Sequence, residues 1–215
     1  MADESQLPAP TLIYIVGPPA VGKMTVGQAI ETRTGLRVFH NHLSIDPVLR
    51  FFEFGSPPFS RLVSEFRARL FEEVATSDLP GVIFTYVWDF DTPGDEQELQ
   101  AYARPFHERG GRVLYVELEA SQSERLQRNE HADRLAAKPT KRDLEASRRN
   151  LLDLDAQYRL NSAGQFDGRA DYLRIDNTYL SPAEVADQVV RHFRLNPIEP
   201  DAEITASSLP AVTTN

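Results

Sequence analysis

Thr11–Gly27 reads TLIYIVGPPAVGKMTVG, an apolar run followed by a glycine-rich turn and a lysine. Between a strand and a helix, such a turn presents backbone N–H groups and a helix N-terminus to an anion. Gly17 and Gly22 allow the backbone to approach phosphate oxygens, and Lys23 supplies a positive charge. Met24 stands where the G-x-x-x-x-G-K-[ST] pattern has a hydroxyl. The stretch predicts a phosphate-binding loop in which Met24 has to be explained.

The apolar runs of the chain indicate its fold class. TLIYIV, LRVF, GVIFTYV and RVLYVEL are near-continuous rather than alternating, which is typical of strands covered on both faces, and DYLRI is a shorter fifth run. Segments with helical spacing separate them and end at glycines such as Gly35. Ser181 begins the last of these segments, with Pro182 at the first helical position and Glu184 completing a capping box. This alternation predicts an α/β three-layer sandwich with a five-stranded parallel sheet.

Composition restricts the classes of partner. The chain has 215 residues, 41% of them hydrophobic, which suits one domain over residues 1–195. A net charge of -9 opposes binding to nucleic acid or to an anionic membrane surface. No apolar run reaches the roughly 18 residues of a membrane span, and there is no cysteine for disulfides, thiolate catalysis or zinc ligation. We expect a soluble, cytoplasmic protein with a disordered tail over residues 196–215.

The glycine-rich loop resembles the GPPGxGKGT loop of adenylate kinases and related nucleoside monophosphate kinases. In those loops the residue after the lysine also lacks a hydroxyl and a threonine follows, which Thr25 matches. The resemblance extends in pieces over residues 12–194. It implies a P-loop NTPase fold and an ATP- and Mg²⁺-dependent kinase of the adenylate, shikimate and gluconate kinase-like group. It also implies that the nucleotide phosphates lie on the loop and that Thr25 and Asp89 organise the metal. The implied loop residues are Gly17, Ala20, Val21, Gly22, Lys23, Met24 and Thr25.

Ser121–Tyr158 resembles the lid region of the same kinases, with the lid itself at about residues 129–143. The resemblance implies that Arg125 lies against adenine and that Arg128 and Arg134 reach phosphate oxygens. It further implies that the transferring group meets one of two consecutive arginines, Arg148 or Arg149. Independently, eight of the 23 basic residues fall between residues 125 and 149 of this acidic chain, which indicates an anionic ligand. A solvated helix face is the alternative for any single arginine.

Trp88, Asp89 and Asp91 follow the third apolar run, and ligands of parallel sheets bind beyond the carboxyl ends of strands. We therefore expect Trp88 and Asp91 to contact the acceptor. Asp89 aligns with the aspartate of the kinase pattern DGFPR, whereas Pro93 replaces the arginine that grips an acceptor phosphate. The two carboxylates could orient magnesium waters, act as a general base, or cap the next helix.

The acceptor is expected to lie near an insertion at about residues 40–80. His40 and His42 could form hydrogen bonds to the acceptor or relay a proton. The alternative is that each histidine only forms hydrogen bonds with the local backbone. HLSIDPVLR loosely resembles the acceptor-holding element STGDLLR of adenylate kinases, which implies acceptor contacts from Asp46 and Arg50. At the other end of the sheet, a weaker correspondence implies that Asn177 and Thr178 contact the purine. A turn that leads into the Ser181 cap is the alternative.

These features together predict a kinase that transfers the γ-phosphoryl group of ATP to a small molecule. The proline at position 93 favours a hydroxyl acceptor, which needs a general base such as Asp89, Asp91 or His42. A nucleoside monophosphate kinase and a non-enzymatic nucleotide-binding module are the alternatives. The oligomeric state is not predicted.

Overall fold

Five strands form one parallel sheet in the computed structural model, which describes residues 9–130 and 144–197. The order across the sheet is β2-β3-β1-β4-β5. The strands are β1 (Thr11–Val16), β2 (Arg37–His40), β3 (Gly81–Thr85), β4 (Arg112–Glu119) and β5 (Tyr172–Asp176). This sheet confirms the predicted fold class. Because β1 is the central strand, the glycine-rich loop that follows it lies in the middle of the carboxyl edge.

Helices connect the strands. In the described residues they are α1 (Lys23–Thr34), α2 (His42–Leu49), α3 (Pro57–Thr76), α4 (Pro93–Glu108), α5 (Gln122–Asn129), α6 (Leu144–Gln157) and α7 (Pro182–Phe193). No helix among them combines the length and the apolar character that crossing a bilayer requires.

The central strand β1 shows why the apolar runs are continuous. Leu12 and Tyr14 belong to the core on one face of the sheet, while Ile13 and Ile15 belong to the core on the other, and all four are 0% exposed. Phe71 of α3 packs into the first core and Ile30 of α1 into the second. Since successive strand residues point to opposite faces, a strand covered on both sides is apolar at nearly every position.

The predicted helix boundaries agree with the structure. Gly35 ends α1 with φ 70°, and its N–H donates to the carbonyl of Glu31. The Ser181 side chain accepts from the Glu184 N–H at the start of α7, and the Glu184 carboxylate accepts from the Ser181 N–H in return. This pair of bonds is the capping box that the sequence predicts.

A buried carboxylate fixes the connection between α6 and β5. Glu117 of β4 is 0% exposed. It accepts hydrogen bonds from the backbone N–H of Ser162 (2.7 Å), the Ser162 hydroxyl (2.5 Å), the Asn161 amide (2.9 Å) and the Tyr172 hydroxyl (2.8 Å). Four donors satisfy a charge that would otherwise be costly to bury. No sequence pattern predicts this site, because Glu117 lies inside an apolar run.

The predicted insertion at residues 40–80 corresponds to α2 and α3, which lie between β2 and β3. The predicted lid at residues 129–143 lies almost wholly outside the described residues, as does the tail at residues 196–215. Both stay predictions.

Candidate nucleotide-binding site

The glycine-rich loop has a backbone that only glycine accommodates at its two key positions. Gly17 has φ 131° and Gly22 has φ 102°, in the region that favours glycine. A Cβ atom on Gly17 would lie 2.4 Å from the carbonyl oxygen of Leu118, a backbone atom at the end of β4. Gly22 immediately precedes α1. The loop therefore delivers the chain directly into the N-terminus of a helix, whose first N–H groups have no partner within the helix.

Lys23 folds back over the start of the loop. Its ammonium group donates to the carbonyl oxygens of Gly17 (2.5 Å) and Pro18 (2.8 Å). The ammonium group is thus held beside the first turn of α1, where its positive charge adds to the positive end of the helix dipole. This placement fits the predicted role of Lys23 towards a phosphate.

A buried ion pair holds the middle of the loop. The Arg125 side chain on α5 pairs with Asp155 on α6 through two bonds of 3.0 and 2.5 Å, and the two side chains are 7% and 14% exposed. Arg125 also donates to the carbonyl of Pro19 at 3.3 Å. These contacts direct its guanidinium at the loop backbone and at a carboxylate. The sequence resemblance implies instead that Arg125 lies against adenine, and no sequence pattern identifies Asp155.

Two further donors converge on the carbonyl of Val21. Val21 O accepts from Arg128 at 3.1 Å and from the amide of Asn177 at 2.8 Å. Arg128 continues to the carbonyls of Asn177 (2.8 Å) and Thr178 (3.1 Å), just after β5. Four residues predicted from the sequence therefore meet at the carboxyl ends of β4 and β5: Arg125, Arg128, Asn177 and Thr178. In this structure Arg128 and Asn177 contact the loop's backbone.

Thr25 is the exposed hydroxyl of the first turn of α1, and it donates to the carbonyl of Gly22 at 2.9 Å. A hydroxyl that donates to a carbonyl keeps its oxygen lone pairs as acceptors, so this residue type fits a magnesium ligand. Met24 is half-buried beside it. In the part of the chain that the structure describes, no group of three or more His, Asp and Glu side chains could hold a metal ion.

The Asp89 carboxylate is engaged in its own loop. It accepts from the Thr92 hydroxyl (2.5 Å) and from the backbone N–H groups of Asp91 (3.2 Å) and Arg159 (3.3 Å). Burial raises the pKa of Asp89, but these three hydrogen bonds outweigh it and leave the pKa below its usual value. Asp91 is exposed and pairs with the Arg159 side chain at 2.8 Å. Both carboxylates thus join the start of α4 to the segment after α6.

Trp88, which the sequence predicted at the acceptor, is 4% exposed. Its ring stacks on Phe90 at a centroid distance of 4.3 Å and on Phe166 at 5.6 Å. Packing between the two loops accounts for this side chain.

The end of β2 carries the other predicted acceptor residues. The Nδ1 atom of His42 lies 3.0 Å from an Asp46 carboxylate oxygen, one helical turn along α2. The His40 ring lies 6.5 Å from the His42 ring, between centroids. Arg50 is exposed at the end of α2. The structure therefore pairs two of these four side chains directly.

A buried polar cluster lies beneath this edge and was not predicted. Arg67 of α3 is 5% exposed and lies 3.9 Å from the Glu98 carboxylate of α4, which also accepts from Ser64, Tyr86 and Tyr102. Burial raises the pKa of Glu98, but the bonds from the two tyrosines and the serine, with the charge of Arg67, lower it overall. The cluster ties α3 to α4 under the end of β3.

The remaining predicted arginines belong to the lid region. Arg148 lies 3.7 Å from Glu130 in an exposed ion pair, and Arg149 is exposed on α6. Arg134 lies outside the described residues. Ser147 of α6 donates to the Asn129 side chain at 3.0 Å, so α5 and α6 are joined beside the predicted lid.

Comparison with known proteins supports the fold. No protein-family model matches the sequence, and no curated protein matches it. Among solved structures, a sugar kinase from Janibacter sp. HTCC2649 in an unliganded structure has a TM-score of 0.54 at 11% identity, covering 87% of this chain and 96% of that one. The APS kinase of Mycobacterium tuberculosis, in complex with AMPPNP and APS, has a TM-score of 0.55 at 14% identity, covering 87% and 99%.

At these identities the likeness concerns the fold. The sheet order, the glycine-rich loop after the central strand and these structural neighbours agree with one another. The chain has the α/β fold of P-loop NTPases, which these two kinases share.

Proposed function

We propose that this protein is a kinase that transfers the γ-phosphoryl group of ATP to a hydroxyl group of a small molecule. The observation that carries the proposal is the arrangement of the loop carbonyls. Those of Gly17 and Pro18 accept from Lys23, that of Pro19 accepts from Arg125, and that of Val21 accepts from Arg128 and Asn177. A loop whose carbonyl oxygens are held by cations and an amide is prepared to offer its N–H groups to an anion.

Each part of the loop has a role in this proposal. The N–H groups at the start of α1 and the ammonium of Lys23 bind the β- and γ-phosphates. Thr25 supplies a hydroxyl oxygen for Mg²⁺, which contributes charge neutralisation when bound. Met24 has no hydroxyl to give, and Thr25 takes over that function one residue later. Positioning and charge compensation are the main sources of catalysis in this type of reaction.

A hydroxyl acceptor fits the other half of the site better than a phosphate does. A phosphate acceptor needs fixed cations, whereas a hydroxyl needs a base. Pro93 begins α4 where the resembling kinases have an arginine, and the buried cation Arg67 already faces Glu98. His42 and Asp46 form a histidine–carboxylate pair at the end of β2. The structural neighbours named above include a sugar kinase, which is consistent with a hydroxyl acceptor.

Two measurements test the proposal. Calorimetry with ATP and with its non-hydrolysable analogue AMP-PNP, in the presence of Mg²⁺, should show binding. ADP release should then be followed over a panel of sugars, polyols, hydroxy acids and nucleosides, with nucleoside monophosphates as phosphate acceptors. We expect turnover with a hydroxyl compound and none with the monophosphates. If the protein did not bind ATP at millimolar concentration, the proposal of a kinase would be refuted. Turnover with monophosphates alone would refute the proposal of a hydroxyl acceptor.

A further inference from the structure

The end of β2 lies on the same edge of the sheet as the phosphate-binding loop. His40 is in register with Thr85 of β3, and Thr85 is in register with Ile15 of β1. Since neighbouring strands lie about 4.8 Å apart, the ends of β2 and β1 are separated by about 10 Å. His42 follows β2 by two residues at this edge. It is therefore placed on the side of the loop opposite to Arg125 and Arg128.

His42 is oriented by a carboxylate. Its Nδ1 atom lies 3.0 Å from Asp46, and the two side chains are 20% and 36% exposed. When a carboxylate faces Nδ1, that nitrogen carries the proton and Nε2 carries the basic lone pair. The pair is thus built to stabilise an imidazole that gains a proton at Nε2.

The start of α2, where His42 lies, is held by buried groups. The Asn41 N–H donates to the Thr85 hydroxyl at 3.3 Å, and the Ser44 hydroxyl donates to the Asn41 carbonyl at 2.8 Å. Arg67 donates to the Ser44 hydroxyl at 2.9 Å from beneath. Its guanidinium lies 5.2 Å from the centroid of the Phe84 ring. A surface ion pair on a helix would not need this support, whereas a catalytic side chain does.

The other two candidates for a base make contacts that stabilise their charged form. The Asp89 carboxylate accepts from Thr92, Asp91 and Arg159, and Asp91 is paired with Arg159. Hydrogen bonds to a carboxylate stabilise its charged form and weaken it as a base. The sequence left three candidates open, and these contacts favour His42.

We propose that His42, held by Asp46, is the general base that takes the proton from the acceptor hydroxyl. This inference rests on the proposed function. As the acceptor oxygen forms its bond to the γ-phosphorus of ATP, its proton moves to Nε2 of His42. The bond between the γ-phosphorus and the β,γ-bridging oxygen breaks, and its electron pair leaves with ADP. The imidazolium then returns its proton to water, so that one proton is released for each phosphoryl group transferred.

The test uses the full chain with Mg²⁺ and ATP, and with water as the acceptor. Water is a poor acceptor but needs no knowledge of the natural one. Hydrolysis by His42→Ala should fall about 10²-fold or more, and added imidazole should restore part of it. Asp46→Asn should show a smaller loss. His107→Ala, which removes an exposed histidine at the end of α4, is the matched control and should hydrolyse ATP at the native rate. AMP-PNP affinity should be equal in all four proteins.

A second readout does not depend on turnover. In ¹⁵N NMR of the free protein, the His42 ring, assigned by comparison with His42→Ala, should carry its proton on Nδ1. Asp46→Asn should reduce that preference. A native ring protonated on Nε2 overturns the inference, as does His42→Ala hydrolysis at the native rate. Hydrolysis by the native chain no faster than that of Lys23→Ala, with AMP-PNP bound, also overturns it. Failure of the native protein to bind AMP-PNP refutes instead the proposed function.

Discussion

The two sides of the proposed phosphate-binding loop are built differently. On the side of β4 and β5, Arg125, Arg128 and Asn177 donate to the loop's own carbonyls. On the side of β3 and β2, the Tyr86 N–H donates to the carbonyl of Ile15 at 3.0 Å, a bond of the sheet itself. Some polar side chains on this side pair with one another, as His42 does with Asp46.

This difference separates two tasks. The side of β4 and β5 fixes the loop's shape, so a change there should affect stability and nucleotide affinity together. The side of β3 and β2 can change its chemistry without disturbing the loop, so a change there should affect transfer alone. In the proposed kinase, one half would therefore bind a common nucleotide and the other a variable acceptor.

The largest expected effect is on the nucleotide side. Asp155→Ala leaves the buried Arg125 guanidinium without its carboxylate, and we expect the free energy of unfolding in urea to fall by about 3–5 kcal/mol. ATP affinity should fall as well, because Arg125 also holds Pro19. Asp187→Ala is the control, since Asp187 forms a more exposed pair with Arg33 and should cost at most about 1 kcal/mol. Equal losses in the two variants would refute a special role for the buried pair.

Lys23→Ala should follow in size. The ammonium lies at the start of the loop, bonded to the carbonyl of Gly17, and its removal should lower phosphoryl transfer about 10²- to 10³-fold. Its two hydrogen bonds to carbonyls also stabilise the loop in the absence of nucleotide, but the thermal unfolding curve should keep its cooperative shape. Arg37→Ala removes an exposed cation on β2 and should leave the rate unchanged. Turnover by Lys23→Ala near the native rate would contradict the kinase assignment.

The sheet and the loop were predictable because their signals are local. TLIYIV followed by the spacing of Gly17, Gly22 and Lys23 contains both the buried strand and the turn. The roles of Arg125 and Arg128 were harder to predict. Sequence shows that an arginine is present, but not whether a carboxylate or a backbone carbonyl faces it. Asp155 lies 30 residues from Arg125, so no spacing rule joins them.

The acceptor side was less predictable for the same reason. The pairing of His42 with Asp46 follows from an i,i+4 spacing on a helix, but its support by Arg67 comes from another helix. Asp89 and Asp91 follow a strand, as catalytic carboxylates often do, yet both also contact Arg159, 70 and 68 residues away. Long-range contacts decide which polar residue is available for chemistry.

A third prediction sharpens the comparison on the nucleotide side. Arg128→Ala removes bonds to the carbonyls of Val21, Asn177 and Thr178, and hydrogen bonds from a charged donor contribute about 1.5–3 kcal/mol. We expect a total loss of this size, divided between the free energy of unfolding, measured by urea titration, and the free energy of AMP-PNP binding, measured by calorimetry. Arg104→Ala, at an exposed ion pair on α4, is the control. A loss of affinity with unchanged stability would instead indicate direct contact with the nucleotide, as the sequence resemblance implies.

The smallest expected effect is at Asp89, and it tests the other side. Asparagine keeps the side-chain oxygen that can accept from the backbone N–H groups of Asp91 and Arg159, so Asp89→Asn should preserve most of the loop's bonds. If those bonds are the role of Asp89, transfer should change by about threefold or less, which is about 0.7 kcal/mol in transition-state free energy. If Asp89 is instead the base or organises Mg²⁺, transfer should fall about 10²-fold or more at unchanged stability. The rate of transfer by Asp89→Asn should be compared with that by His42→Ala on the same acceptor. Only one of the two variants should lose transfer while both keep AMP-PNP affinity. That variant identifies the strand end that supplies the chemistry.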